Sequence, residues 1–349
     1  TSYTRYVRCS DTAGNAMTAS QSVSFSVAAA ATGGGGSTGG TTGGASGTTS
    51  ECASPQTGWI WCDDFETNRL TTPAQGGGYF EYENDGGDFV RTSGTGINGS
   101  TAMRALFQAG EVDAGNMKVA FGRTPQSYFQ PVSGTSGTDY RDVYWRVYVK
   151  YQTGWTGGGG NKMSRAVIFA SPSNWAEAAI NHVWSEGTGD RYLAIDPASG
   201  TDTSGNLVST GYNVVARWLG LNLSDTAIFD GTHNNEWLCV ESRMRLNDSG
   251  QSNGLSELWI NDVLEAQNTG LNWVGTYNAY GINTIMLENY WNAGSSATQE
   301  RYFDNFVIST QRIGCGSAPS GGGSTPPPPS DTTAPTASIT APTASQVLS

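Results

Sequence analysis

Residues 143–151, VYWRVYVKY, alternate apolar and polar-aromatic side chains without a break, a pattern that only an extended strand sorts into two faces. Val143, Trp145, Val147, Val149 and Tyr151 share one side; Tyr144, Arg146, Tyr148 and Lys150 share the other. In WLCVESRMRL, Leu238, Val240, Met244 and Leu246 oppose Glu241, Arg243 and Arg245. In NTIMLENYW, Ile285, Leu287 and Trp291 oppose Met286, Glu288 and Tyr290. Strands of this kind pack as two antiparallel sheets around a shared core, so the expected fold class is an all-β, two-sheet antiparallel sandwich. One stretch, NWAEAAI at 174–180, fits a helix equally well.

Low-complexity segments divide the 349 residues. Residues 28–50 are a Gly/Ser/Thr-rich linker, and 317–331 form a Gly/Pro-rich linker whose proline run is stiffer. Between them, 51–316 is the sandwich. Residues 1–27 hold two alternating stretches around DTAGN, a hairpin pattern that resembles the end of an immunoglobulin-like or fibronectin III-like repeat of bacterial surface proteins. Residues 332–349, with DTTAPTASITAP, resemble the start of another. The chain is therefore expected to be a piece of a longer exported or cell-surface protein, with the sandwich a monomeric domain within it. The formal charge of −12 argues against nucleic acid as a partner, and no apolar run reaches the ~20 residues of a membrane span.

Five cysteines and two histidines offer no zinc-like spacing. Cys52, Cys62, Cys239 and Cys315 lie in the sandwich, an even set that suggests two disulfides in an exported domain. Four cysteines allow three pairings. Cys52–Cys315 with Cys62–Cys239 is the expected one, because the first pair brackets the domain; buried thiols are the alternative.

The order of segments WIWCDDFET, NGSTAMRALF, EWLCVESRMRLND, LSELWINDVLEAQ and RYFDNFVISTQRIGC resembles the concanavalin A-like lectin/glucanase superfamily. That resemblance implies a jelly roll whose inner sheet carries a carbohydrate groove. Its glucanase branch needs closely spaced carboxylates, and no ExDxxE-like motif is present; Glu257, Asp262 and Glu265 surround an Asn261-Asp262 turn instead. Its lyase branch draws on an Arg strand, an amide–His strand and a late Tyr strand. Here NKMSRAVIF supplies Arg165, INHVW supplies Asn181 and His182, and MLENYWN supplies Tyr290. The implied roles are His182 as base, Tyr290 as acid, and Arg165 with Asn181 neutralising a sugar carboxylate. The first of these motifs lacks the family's Glu-Leu-Arg ending, the second has Asn for Gln, and the third lacks its Lys-Ala-Gly core.

Glu241, Arg243, Glu288, Trp184, Trp259, Tyr148 and Arg146 are expected to line the groove. Trp155, Trp175, Trp218 and Trp273 are further stacking candidates, two or three of the tryptophans being expected at the surface. His233, in GTHNNEW, reads as a loop residue. The resemblance also implies a structural Ca²⁺ between the opening and closing strands, held by Asp63, Asp64, Glu66 and Asp304; the alternative is that Asp304 caps a hydrogen-bond network. The expected function is polysaccharide binding with lyase-type cleavage of an acidic glycan. The alternative is a non-catalytic glycan-binding module or adhesin.

Overall fold

The computed structural model describes residues 2–7, 21–26, 50–157, 160–186 and 191–316, which fall into two units divided near residue 47. The expected linkers and the C-terminal repeat lie outside the described residues. In the first unit β1 (Ser2–Val7) pairs antiparallel with β2 (Gln21–Ser26), the hairpin that the alternation around DTAGN predicts.

The second unit contains sixteen described strands and, among the described residues, no α-helix. In chain order they are β3 (Trp59–Asp63), β4 (Glu81–Glu83), β5 (Phe89–Ser93), β6 (Thr101–Phe107), β7 (Asp113–Ala120), β8 (Asp142–Tyr151), β9 (Lys162–Phe169) and β10 (Glu177–Glu186). Then follow β11 (Tyr192–Ser199), β12 (Arg217–Trp218), β13 (Asn222–Leu223), β14 (Trp237–Arg245), β15 (Gly254–Ile260), β16 (Val263–Leu271), β17 (Thr284–Tyr290) and β18 (Gln299–Ser309). They form two eight-stranded antiparallel sheets. The front sheet runs β12-β11-β10-β9-β17-β7-β4, with β13 on β11. The back sheet runs β16-β15-β14-β8-β18-β6-β5, with β3 on β18. This is a jelly-roll sandwich. The NWAEAAI stretch is not helical: Trp175 sits at a left-handed turn with φ 60°, and β10 starts at Glu177.

The apolar faces read from the sequence meet between the sheets. Val143, Trp145, Val147, Val149, Leu238, Val240, Met244, Ile285 and Leu287 all belong to one buried cluster. Asn261 and Asp262 adopt φ of 50° and 68° and turn β15 into β16, the left-handed pair that a tight hairpin of this type demands.

A charge is buried in this core. Arg301 on β18 lies between the rings of Phe107 and Phe303 and crosses to the front sheet. It donates to Asn289 Oδ1 (2.8 Å), Asn161 Oδ1 (3.0 Å), the Lys162 carbonyl (2.5 Å) and the Glu288 carbonyl (2.6 Å). Burial pulls its pKa down to about 10.

The disulfides are Cys52–Cys62 and Cys239–Cys315, which corrects the expected pairing. The ends of the sandwich do meet, but through side chains: Arg146 forms an ion pair with Glu51 (2.6 Å) and donates to the Gly314 carbonyl (3.3 Å). Each cysteine bond instead staples one end to the back sheet. Glu241 accepts from the backbone N–H groups of Ile313 and Gly314, and from Arg312. Residues 312–315 thus lie as a strap across the outer face of the back sheet. Among the described residues, no helix is long and apolar enough to cross a membrane.

Candidate functional site

The outer face of the front sheet has two unlike halves. At one end of the strands Ala120, Phe129, Val167, Phe169, Ile180 and Met286 form a second small core, with Phe80, Trp175 and Val215 packed on it. The Phe129 ring lies 5.0 Å from Phe80, 5.1 Å from Phe169 and 5.3 Å from Trp175. This apolar plug leaves the other half as a polar strip that crosses the strands. With strands ~4.8 Å apart, the strip from β4 to β12 is about 29 Å long.

At the β4 end, Lys118 pairs with Glu81, Tyr128 donates to Glu81 (3.0 Å), and Asn116 donates to Glu83 (3.1 Å). These residues and Phe80 border a shallow cavity of about 390 Å³.

In the middle, Arg165 on β9 makes a buried ion pair with Glu288 on β17 (3.0 Å). Its two terminal nitrogens also donate to Asn213 Oδ1 and the Tyr212 hydroxyl, with the Tyr212 ring 4.8 Å from the guanidinium. Burial works against the charge of Arg165, but Glu288, Tyr212 and Glu177 outweigh it and raise its pKa. Glu177, wholly buried, accepts from the Asn213 N–H (2.7 Å), and burial pushes its carboxyl up to about 7 against the pull of Arg165.

His182 is the cross-strand partner of Arg165. Burial, with Arg165 adding to it, holds its pKa down at about 3, so the ring is neutral. Its Nδ1 faces the Asp196 carbonyl at 3.1 Å; a carbonyl only accepts, so Nδ1 carries the proton and Nε2 the lone pair. The ring stacks on Trp184 (5.1 Å, 18°), and Trp184 in turn faces Trp218 (6.2 Å, 22°), which is 55% exposed. These rings make a stepped aromatic platform at the β12 end.

One more pair lies beside Arg165. The half-buried Lys162 ammonium sits 4.5 Å from the ring centre of Tyr290, which is 39% exposed. Burial lowers the lysine pKa, Glu288 opposing and Arg165 adding to the shift. Arg301 holds the carbonyls of Lys162 and Glu288 from inside the sandwich, so this spot of the strip rests on a fixed backbone.

The structure thus brings Arg165, His182, Trp184, Glu288 and Tyr290 onto one surface. Asn181 is not among them. It is adjacent to His182 on β10, so it points the opposite way, into the core, where it donates to the Arg243 carbonyl (3.2 Å) and accepts from Ser256 (2.8 Å). The neighbour of His182 on the outer face, two residues back along β10, is the apolar Ile180 of the plug.

Glu241, Arg243, Trp259, Tyr148 and Arg146 lie on the outer face of the back sheet, away from the strip, which corrects their grouping. Tyr148 donates to the Cys315 carbonyl, Arg312 stacks over Trp259 (4.2 Å), and Arg243 pairs with Asp142 and Glu257 (2.7 Å each). Trp155 and Trp273 are core. His233 pairs with Glu236 (2.9 Å).

Among the described residues, the expected calcium ligands are not a group whose oxygens converge. Asp63 accepts from Phe65 N (3.0 Å) and Tyr79 (2.9 Å), Asp64 from Glu66 N (3.3 Å), and Glu66 from Thr101 N (2.6 Å). Asp304 accepts from Ile97 N (2.8 Å), Asn305 N (2.8 Å) and Ser100 (3.0 Å). Donors thus reach both oxygens of Asp63 and of Asp304 and one oxygen of Glu66. Among the described residues, the acidic oxygens that converge are those of Asp85, Asp88 and Glu111.

Sequence reasoning missed Lys162, Glu177, Tyr212, Asn213 and Arg301. Lys162 is three residues from Arg165, the wrong parity for one face, and reaches it only because the strand pairing slips opposite Val183 and Trp184.

No protein-family model and no curated protein matches the sequence. Solved structures do. The marine PL-14 alginate lyase of Aplysia kurodai is similar at 12% identity over 72% of this chain and 99% of that one, with a TM-score of 0.52. The endo-β-1,4-glucuronan lyase of the fungus Trichoderma reesei is similar at 10% identity over 72% and 96%, with a TM-score of 0.48. Alginate lyase vAL-1 from Chlorella virus is similar at 15% identity over 63% and 89%, with a TM-score of 0.46. At these identities the likeness is one of fold: the sandwich shares the jelly roll of the Aplysia protein.

Proposed function

We propose that the sandwich binds an acidic polysaccharide along the front-sheet strip and cleaves it by β-elimination at Lys162 and Tyr290. The observation that carries this reading is the half-buried Lys162, its pKa lowered, beside the exposed Tyr290 in the middle of a groove-like strip. Elimination from a uronate needs a base for the C5 proton. The freed electron pair becomes the C4=C5 double bond, the bond from C4 to the leaving oxygen breaks, and that oxygen takes a proton. Lysine in its amine form serves as the base and the Tyr290 hydroxyl as the acid. His182, with a pKa near 3, holds a proton too weakly to compete and acts as the neutral floor of the aromatic platform. Arg165, whose charge acts on Lys162, neutralises the sugar carboxylate. The two disulfides suit an oxidising, extracellular setting.

Alginate, named for the Aplysia protein, is the first substrate to try, followed by glucuronan. Ultraviolet absorbance of the new double bond is expected to grow with the wild-type protein. The rate should rise with pH toward a lysine pKa below the ordinary value, because only the amine form takes the proton. Lys162→Ala and Tyr290→Phe are each expected to lower the rate at least about a hundredfold. No absorbance gain from any polyuronate would rule out elimination.

A second reading, a non-catalytic glycan-binding module, is favoured by one observation: the guanidinium of Arg165 is already engaged by Glu288, Tyr212 and Asn213. Both readings use the platform. Trp218→Ala is expected to weaken retention on a glycan column roughly tenfold, about 1.4 kcal/mol. Unchanged retention would remove Trp218 from the binding surface.

A further inference from the structure

Arg165 is masked by the chain's own loop between β11 and β12. The tip of that loop places two oxygens, Tyr212 Oη and Asn213 Oδ1, on the two terminal nitrogens of one guanidinium. A sugar carboxylate would offer the same two acceptors to the same fork. The rest of the tip is lightly held. The Asn213 N–H donates to Glu177 (2.7 Å), Asn174 donates to the Thr210 carbonyl (3.2 Å), and the Tyr212 ring stacks on Phe169 at 6.4 Å. By contrast, the loop's bases are pinned. Val208 and Ser209 donate their N–H groups to the Gly200 carbonyl (2.9 and 2.8 Å), and Arg217 donates to the Thr201 carbonyl (3.1 Å). Gly200 itself must be glycine, since a Cβ there would sit 1.7 Å from the Glu177 carbonyl oxygen. The tip also exposes apolar surface at Tyr212 and Val214, which a bound ligand would cover.

We infer that Tyr212 and Asn213 form a gate that imitates a carboxylate on Arg165 and is displaced by the uronate carboxylate of an incoming glycan. This rests on the reading of the strip as an acidic-polysaccharide site. The gate selects substrate. A ligand carrying a carboxylate replaces both hydrogen bonds that Arg165 loses when the tip lifts; a neutral sugar offers no charged pair of acceptors and leaves the gate shut. Glu288 stays on the guanidinium throughout and keeps it oriented.

Tyr212→Phe with Asn213→Gly removes both imitating oxygens. It keeps the stacked ring and suits the left-handed backbone at residue 213, whose φ is 59°. Binding of alginate oligosaccharides by the wild type and by this double variant, with a neutral β-glucan oligosaccharide alongside, tests the gate. The double variant is expected to bind the alginate oligosaccharides about tenfold more tightly, with binding of the neutral glucan unchanged. Equal or weaker alginate binding by a variant that still unfolds cooperatively overturns the gate while leaving the proposed site intact. If neither protein binds alginate, both the gate and the proposed site fall. If the variant binds more tightly but no unsaturated product forms with either protein, the gate stands and the lyase reading falls. Should the variant not fold, the NMR signals of the Tyr212 ring in the wild type decide: they shift on adding alginate oligosaccharides and not the neutral glucan, or the gate is wrong.

Discussion

Replacing Arg301 by methionine is expected to destabilise the sandwich by about 4 kcal/mol and to lower its melting temperature by roughly 10 °C. Methionine fills the space between Phe107 and Phe303 but donates nothing. Four buried acceptors, on Asn161, Asn289, Lys162 and Glu288, lose their partner together. Each orphaned group costs on the order of 1–3 kcal/mol, offset in part by the desolvation that the arginine no longer suffers. Burial lowers the pKa of the guanidinium, the mark of that desolvation cost, so the loss is smaller than four full penalties. Chemical denaturation reads the result directly; a change below about 1 kcal/mol would mean that water or a local shift satisfies the acceptors. The same substitution loosens the backbone under Lys162 and Glu288, so binding at the strip is expected to weaken even at temperatures where the variant is folded.

The second large effect is on pH. Burial raises the carboxyls of Asp304 and Glu177 to about 7 and that of Asp63 to about 6. In the unfolded chain all three titrate near 4. Over the interval between, the folded state holds protons that the unfolded state has lost, so these groups stabilise the protein at low pH. That stability is fully present below about pH 4 and disappears as pH rises through 6 to 7. His182 opposes them. Its folded pKa near 3 lies below the unfolded 6.5, so its contribution is present above about pH 6.5 and fades as the solution is acidified. Between about pH 7 and pH 5, Asp304 and Glu177 each gain about two pKa units, Asp63 gains about one, and His182 returns about one and a half. At about 1.4 kcal/mol per unit, the net gain is on the order of 5 kcal/mol. The melting temperature is therefore expected to be higher at about pH 5 than at pH 7. A flat or inverted profile would show that these carboxyls keep ordinary affinities. Asp304→Asn, which retains an acceptor without titrating, should remove about two of those units from the slope.

Inside and outside were legible in the sequence because a strand has only two faces. Trp145, Val240 and Leu287 fell where alternation put them. Front and back were not legible. Both sheets of this sandwich carry polar-aromatic outer faces, so Trp259 and Trp184 read alike although they lie on opposite sides. Asn181 and His182 look like partners in a linear motif, yet neighbours on a strand are the two residues that cannot share a surface. The slipped register that lifts Lys162 toward Tyr290 breaks the two-residue period and leaves no trace in composition. Likewise, Asp63 and Asp64 read as cation ligands, but the backbone turns tightly after each and engages one oxygen of each with an N–H two residues ahead.

The closeness of Glu51 and Gly314 on Arg146 has a mechanical consequence. The sandwich takes up the chain and releases it at nearly one point on its back sheet, with each thread tied down by its own disulfide. Tension applied through the flanking segments is carried across that knot by one arginine and by two covalent links to β3 and β14, so the load path bypasses the front sheet. A protein pulled while holding a polymer would keep its grip geometry, because the strands that shape the strip are not in series with the force.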